Sequence, residues 1–255
     1  MKVSPRPILV WGKTDPGRRR ERNEDAVGWD AERGLALLAD GMGGHQAGHV
    51  ASEAAVEAVR RAVGASLERG AEDAEALLRA GIEEANQSIY GRALSEPMYA
   101  GMGTTVVAAL FSGERVVVGH VGDSRLYRFR QGGLTQLTVD HSLVQELVEE
   151  GAMTLEEAKR SVGRNVITRA LGIEPQVEAE VRSHRVRGGD LYLLCSDGLT
   201  DMVGEEVLHS LLARCGDDLA STGEALIEKA NECGGEDNIA VVLVRVRPAA
   251  AGPRE

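Results

Sequence analysis

The sequence predicts an α+β layered sandwich, one domain with segregated strands and helices, in preference to a doubly wound parallel sheet. Two observations carry that expectation. Strand-like apolar runs and helical repeats come in blocks along the chain, and the runs between Gly103 and Arg130 are joined by Ser112-Gly113-Glu114 and Gly122-Asp123-Ser124, connections too short for a crossover helix. A third observation keeps them in one domain: no long polar or Pro/Ser-rich linker divides the 255 residues, and 43% hydrophobic residues suffice for a core.

The first apolar run is Gly34 to Ala39. After the glycine-rich Gly41-Met42-Gly43-Gly44, a helix is expected from about Gly48, because Ala51, Ala54, Ala55, Ala58, Val59 and Ala62 recur with the helical period. A second helix fits Asp73 to Ala93, with Asp73 as its cap and Leu78, Ile82, Ala85 and Ile89 on one face. From Gly103 the pattern becomes that of strands: Thr104 to Phe111, Arg115 to Val121 and Leu126 to Arg130, expected as an antiparallel meander. Residues His141 to Gly172 read as mostly helical and polar, with Thr154 and Glu157 spaced as a capping box. Strands return at Val177 to His184 and Asp190 to Cys195, helices at Gly204 to Arg214 and Leu219 to Glu232, and a last strand at Asn238 to Val246.

A net charge of -11 argues against a nucleic-acid surface, since a phosphate backbone would be repelled. The dense basic run is Arg18-Arg19-Arg20 with Arg22, read as solvated except at Arg20. Cys195, Cys215 and Cys233 form no CxxC pair, a cytosolic pattern. The start has no apolar stretch of signal-peptide length, and no segment approaches the roughly eighteen uninterrupted apolar residues of a membrane span. A cytoplasmic monomer without membrane association is the expectation, with residues 249–255 as a flexible tail.

Four aspartates sit at the mouths of β-like apolar runs beside turn-forming residues: Asp40, Asp123, Asp197 and Asp237. Singly, each has the ordinary explanation of a turn former. Together they suggest a multi-metal site of oxygen ligands, because strand ends can fix carboxylates that are far apart in sequence. Mg²⁺ and Mn²⁺ take such ligands, and two-metal sites hold the ions roughly 3.5–4 Å apart to clamp a phosphoryl oxygen. Asp40 suits a bridging role, and Gly41 offers a closely approachable backbone carbonyl. Water on such a metal is acidic enough to supply hydroxide near neutral pH. Arg20 suits bidentate contact with an anionic substrate, and Glu24 suits a metal-bound water; Asp25 reads as an outer acceptor or a turn residue.

Taken together, Arg20-Glu21-Arg22-Asn23-Glu24-Asp25, Ala39-Asp40-Gly41-Met42-Gly43-Gly44-His45, Gly103-Thr104-Thr105, Gly122-Asp123-Ser124-Arg125, Leu137-Thr138-Val139-Asp140-His141-Ser142, Ser196-Asp197-Gly198-Leu199-Thr200-Asp201 and Gly235-Glu236-Asp237-Asn238 occur in a telling order. The chain resembles the metal-dependent serine/threonine protein phosphatases of the 2C type, in their compact bacterial branch, from about Thr14 to Val246. The resemblance implies an αββα sandwich of two packed antiparallel sheets, with a catalytic domain over residues 1–248 and a flap at about 142–172. It implies that Asp40, Asp197 and Asp237 hold a first Mg²⁺ or Mn²⁺ ion, and that Asp40, the Gly41 carbonyl and, through water, Glu24 hold a second. Asp123 and Asp197 would hold a third, weaker one. Arg20 matches the phosphate-binding arginine and Asn238 an outer residue of the site. The implied reaction is attack of metal-activated water on phosphoserine or phosphothreonine of proteins, with no covalent intermediate and with a protein kinase and its targets as partners.

Animal members carry a histidine directly after the Asp-Gly pair as the proposed general acid, and here that position is Met42. His45 or metal-bound water would have to replace it. Asn165 lies where some bacterial relatives place a flap contact to the third metal. Other chemistries fail on their spacing. A cysteine phosphatase needs Arg six positions after Cys, where this chain has Asp201, Ser221 and Ile239, and Gly12-Lys13-Thr14 has Pro7 where a P-loop needs its first glycine. The competing class is a non-catalytic binding or sensor module on the same fold, which loss of the carboxylates would favour; all four aspartates are present.

Overall fold

The computed structural model describes residues 3–43, 47–154, 157, 161, 166–216 and 218–247. Alternation within its strands sets the layering. In β3 (Leu35–Met42), Leu35, Leu37 and Ala39 pack with the buried faces of α1 (Ala47–Glu68) and α2 (Ala74–Ser95), while Ala36 and Leu38 enter a different core. There they join alternate residues of β5 (Val106–Ser112) and β6 (Arg115–Val121), and meet Tyr192 and Leu194 of β10 (Leu191–Cys195) and Ala240, Val242 and Val244 of β11 (Ile239–Val246). The opposite faces of β10 and β11 pack against α5 (Glu205–Ala213) and α6 (Leu219–Glu232) in a third core. The result is the expected αββα sandwich, and because its central strands are covered on both faces they read as unbroken apolar runs.

One sheet has the order β2 (Asp25–Asp30), β3, β5, β6, β9 (Glu180–Arg185), with the short β4 (Gly103–Thr104) paired to β3. The other runs β1 (Ile8–Asp15), β11, β10, β7 (Arg125–Arg130), β8 (Gly133–Gln136). All the strand pairs are antiparallel. The expected three-strand meander is corrected at its last step. β5 and β6 pair, but β6 takes β9 as its other neighbour and β7 lies in the second sheet beside β10. Gly122, at φ 102°, turns the chain across the intersheet gap, and a three-residue connection fits a hairpin or a sheet switch equally well.

The helices follow expectation most closely where an apolar face drives them. Asp73 caps α2 by accepting from the amides of Glu75 and Ala76, and Leu78, Ile82, Ala85 and Ile89 are all buried. The mostly helical expectation for His141 to Gly172 is corrected over residues 150–153 and 166–172, which are turns, bends and bridges, while residues 155, 156, 158–160 and 162–165 lie outside the described residues. Only α3 (Leu143–Glu149) forms a named helix there among the described residues, and it buries none of its residues. The Thr154–Glu157 box is present: the Thr154 amide donates to Glu157 Oε2 at 2.8 Å and the Glu157 amide to Thr154 Oγ1 at 3.3 Å. No helix among the described residues is long and apolar enough to cross a membrane.

Candidate active-site cleft

Asp40 shares the parity of Ala36 and Leu38, so β3 delivers it to the open end of the intersheet layer. The strand runs through Met42, past the expected end at Ala39, and pairs Asp40 directly with Asp25 of β2. From the second sheet, Asp197 opens the short helix α4 (Asp197–Thr200) right after β10, and Asp237 precedes β11. Asp123 sits in the turn that switches sheets. These four carboxylates line a single cleft of about 660 Å³ together with Arg20, Glu24 and Gly41, so all seven sequence-derived site residues meet there. His45 and Asn165 lie outside the described residues.

Backbone and hydroxyl contacts fix these positions. Thr105 receives the Asp40 amide on its Oγ1 at 3.0 Å, returns its own amide to the Asp40 carbonyl at 2.8 Å, and bonds Ser124 Oγ at 2.7 Å. Asn238 ties three segments together: its Oδ1 accepts the Glu24 amide at 2.8 Å, and its Nδ2 donates to the carbonyls of Pro16 and Arg22 at 3.1 and 2.7 Å. The Glu24 carboxyl lies against Gly48, where an added Cβ would approach it to 2.8 Å. Arg20 Nη2 donates to Asp237 Oδ2 at 2.7 Å, an ion pair within the cleft.

Asp25, read as an outer acceptor or a turn residue, is a buried carboxyl. Its Oδ2 accepts from Ser196 Oγ at 2.9 Å, and its Oδ1 is buried with no donor. Neither the Ser196 contact nor the place of Ile167 on the cleft rim left a signal in the sequence.

Burial, with crowding by neighbouring carboxylates, pushes the cleft acids up. Asp25 rises to about 8, Asp123 to about 7 with Asp197 as its chief repelling neighbour, and Asp197 to about 6 with Asp201 and Asp237 against it. Asp40 rises well above the carboxylate range, through burial and then the charges of Asp25, Asp197, Asp123 and Asp237. An oxygen-only donor set with repelling carboxylates and an orphaned buried Oδ1 fits hard divalent cations.

The family model for protein phosphatase 2C matches residues 17–240. The chain belongs to the protein phosphatase 2C family. It is 43% identical to the serine/threonine phosphatase Stp of Listeria welshimeri over 236 residues, covering 91% of this chain and 93% of that one. It is 42% identical to the serine/threonine protein phosphatase PstP of Mycobacterium tuberculosis, covering 92% of this chain but 44% of that longer protein. The crystal structure of that phosphatase superposes with a TM-score of 0.87 at 40% identity, covering 94% of this chain and 99% of the solved chain. A structure of the PstP catalytic domain in complex with two manganese ions gives a TM-score of 0.84 at 40% identity, over 94% of this chain and 98% of that one. Metal dependence of this phosphatase therefore rests on the family, the manganese-bound relative and the donor set of its own cleft.

Proposed function

We propose that this protein serine/threonine phosphatase of the 2C family hydrolyses phosphoserine and phosphothreonine on proteins in the cleft at the open end of its sandwich. The observation that carries the reading is the convergence of Arg20, Glu24, Asp40, Gly41, Asp123, Asp197 and Asp237, brought from distant segments of the chain onto one cavity wall. Asp40, Asp197 and Asp237 would hold one Mg²⁺ or Mn²⁺ ion; Asp40, the Gly41 carbonyl and Glu24 a second; Asp123 and Asp197 a third, weaker one. When bound, such ions supply an acidic water and neutralise charge on the phosphoryl oxygens.

The chain's own residues do the rest. Arg20, half exposed at the cleft, orients the phosphate through its planar fork and must exchange its contact with Asp237 to do so. Thr105 fixes Asp40 within its own sheet, and Asn238 ties Glu24 to the second sheet. Met42 supplies no proton to the leaving alcohol, so the described wall offers no imidazole beside Gly41. Ile167, from the span expected as a flap, reaches the cleft rim, and phosphorylated substrates of a partner kinase are the expected targets of a monomeric enzyme. The intact carboxylate set argues against a purely binding module.

The test is hydrolysis of a phosphothreonine peptide by EDTA-treated protein, before and after addition of Mg²⁺ or Mn²⁺, beside Asp237→Asn. Activity should return with metal in the parent and stay at least about a hundredfold lower in the variant. A folded parent that binds metal yet never hydrolyses the peptide would leave the binding-module reading standing.

A further inference from the structure

Away from the carboxylate cleft, His120 of β6, His141 after β8 and Glu180 of β9 form a cluster of different chemistry. One donor atom from each lies within 4.8 Å of the other two. His120 and Glu180 are register partners across β6 and β9, and the His141 ring stacks on His120 with centroids 4.6 Å apart. Both histidines are buried, and Glu180 is 25% exposed along its side chain although its Oε1 is itself buried without a hydrogen-bond partner.

The hydrogen bonds assign the lone pairs. His120 Nε2 meets the Val139 carbonyl at 2.7 Å, so it carries the proton and leaves Nδ1 free; a ring held this way by a carbonyl is a pre-oriented metal ligand. His141 Nε2 is buried without a hydrogen-bond partner and faces Glu180 Oε2 at 3.8 Å. Glu180 Oε1 is ion-paired with the exposed Arg182 Nε at 2.8 Å. Burial keeps both imidazoles below their ordinary range, so they are neutral.

We propose that His120, His141 and Glu180 form a second metal site, for a borderline divalent cation of the zinc class, distinct from the carboxylate cleft. Two imidazoles and one carboxylate with an open fourth position are a zinc donor set, whereas Mg²⁺ avoids imidazole. Tetrahedral zinc needs its donors about 3.3 Å apart, so occupation requires the two stacked rings to tilt towards one another and Glu180 to leave Arg182.

Binding has a structural consequence. His141 Nδ1 now accepts the Gly122 amide at 3.1 Å, which puts the ring proton on Nε2. Ligation through Nε2 moves that proton to Nδ1, where it faces the Gly122 N–H, and the bond to Gly122 is lost. Gly122 precedes Asp123, so occupation of this site loosens the turn that carries a cleft carboxylate.

The experiment uses the full chain, EDTA-treated, carrying Asp40→Asn and Asp237→Asn to disable the cleft, and titrates it with Zn²⁺ by calorimetry and with Co²⁺ by visible absorption. One equivalent of zinc should bind, cobalt should give the spectrum of a four-coordinate site with nitrogen ligands, and adding Glu180→Gln or His141→Gln should weaken zinc at least about tenfold with the fold intact by circular dichroism. Should the double variant fail to fold, the same titration on the parent with its cleft saturated by Mg²⁺ gives the answer. Absence of zinc binding in either background, or zinc affinity indifferent to Glu180→Gln and His141→Gln, would overturn the site. None of these readouts depends on phosphatase activity, so failure here leaves the cleft reading untouched.

Discussion

Arg20 and Asp237 occupy one ion pair but belong to different tasks. Both are substantially exposed, at 56% and 38% of their side chains, so the pair adds at most about 1 kcal/mol to stability. Arg20→Ala should therefore leave the melting temperature and the Mn²⁺ affinity close to the parent's while raising KM for a phosphothreonine peptide about tenfold or more. Calorimetry and steady-state kinetics on the one variant separate these effects, and a collapse of Mn²⁺ binding would show that Arg20 holds the cleft together instead. At this scale the cleft was highly legible, because aspartates at strand mouths beside glycine leave a pattern in the chain. Ser196 was not, since its contact with Asp25 joins residues 171 positions apart and a serine after a strand is unremarked. Met42 was legible only as a departure from the family.

Among the elements, the strands that the sequence did not announce are β1, β2 and β8, and each lies at the edge of a sheet. An edge strand is half-covered, so its residues need not be apolar: β2 begins and ends in aspartate and contains Gly28, and β8 alternates exposed with half-buried positions. Central strands such as β5 and β11 were plain because burial on both faces demands continuous apolar residues. The sheet switch after β6 was hidden for another reason, since partner choice is tertiary. The short α4 shows how element packing sets the cleft. Gly198 lies so close to the chain entering β11 that a Cβ would run into the Asn238 carbonyl oxygen. Gly198→Ala should separate Asp197 from Asp237, cost roughly 1–3 kcal/mol in urea unfolding, and weaken Mn²⁺ binding by more than any exposed Gly→Ala such as Gly133→Ala. Equal Mn²⁺ affinities in the two variants would mean that this close approach does not position the carboxylates.

For the whole molecule, the cleft couples folding and metal binding to the same protons, which folding takes up and a bound cation displaces. Unfolded, these aspartates titrate near their ordinary value of 3.8; folded, Asp197, Asp123 and Asp25 titrate near 6, 7 and 8. Between those limits the native chain holds more protons than the unfolded one, so the metal-free protein should lose stability as pH rises through the window. Asp30 and Asp190 have the opposite sign, being lowered below 3.8 chiefly by their hydrogen bonds to Arg33, and to Arg130 and the Arg187 amide, against their burial. Their contribution is lost only in stronger acid, so it does not offset the trend. A divalent cation balances the same charge without protons, and its stabilisation must grow as the carboxylates ionise. Thermal unfolding at about pH 5, 6.5 and 8 should show the melting temperature in EDTA falling with pH and the gain on adding Mn²⁺ increasing over the same range. A metal-free melting temperature that rises across the window, or a Mn²⁺ gain that stays flat, would mean that the buried carboxylates are already balanced by the protein.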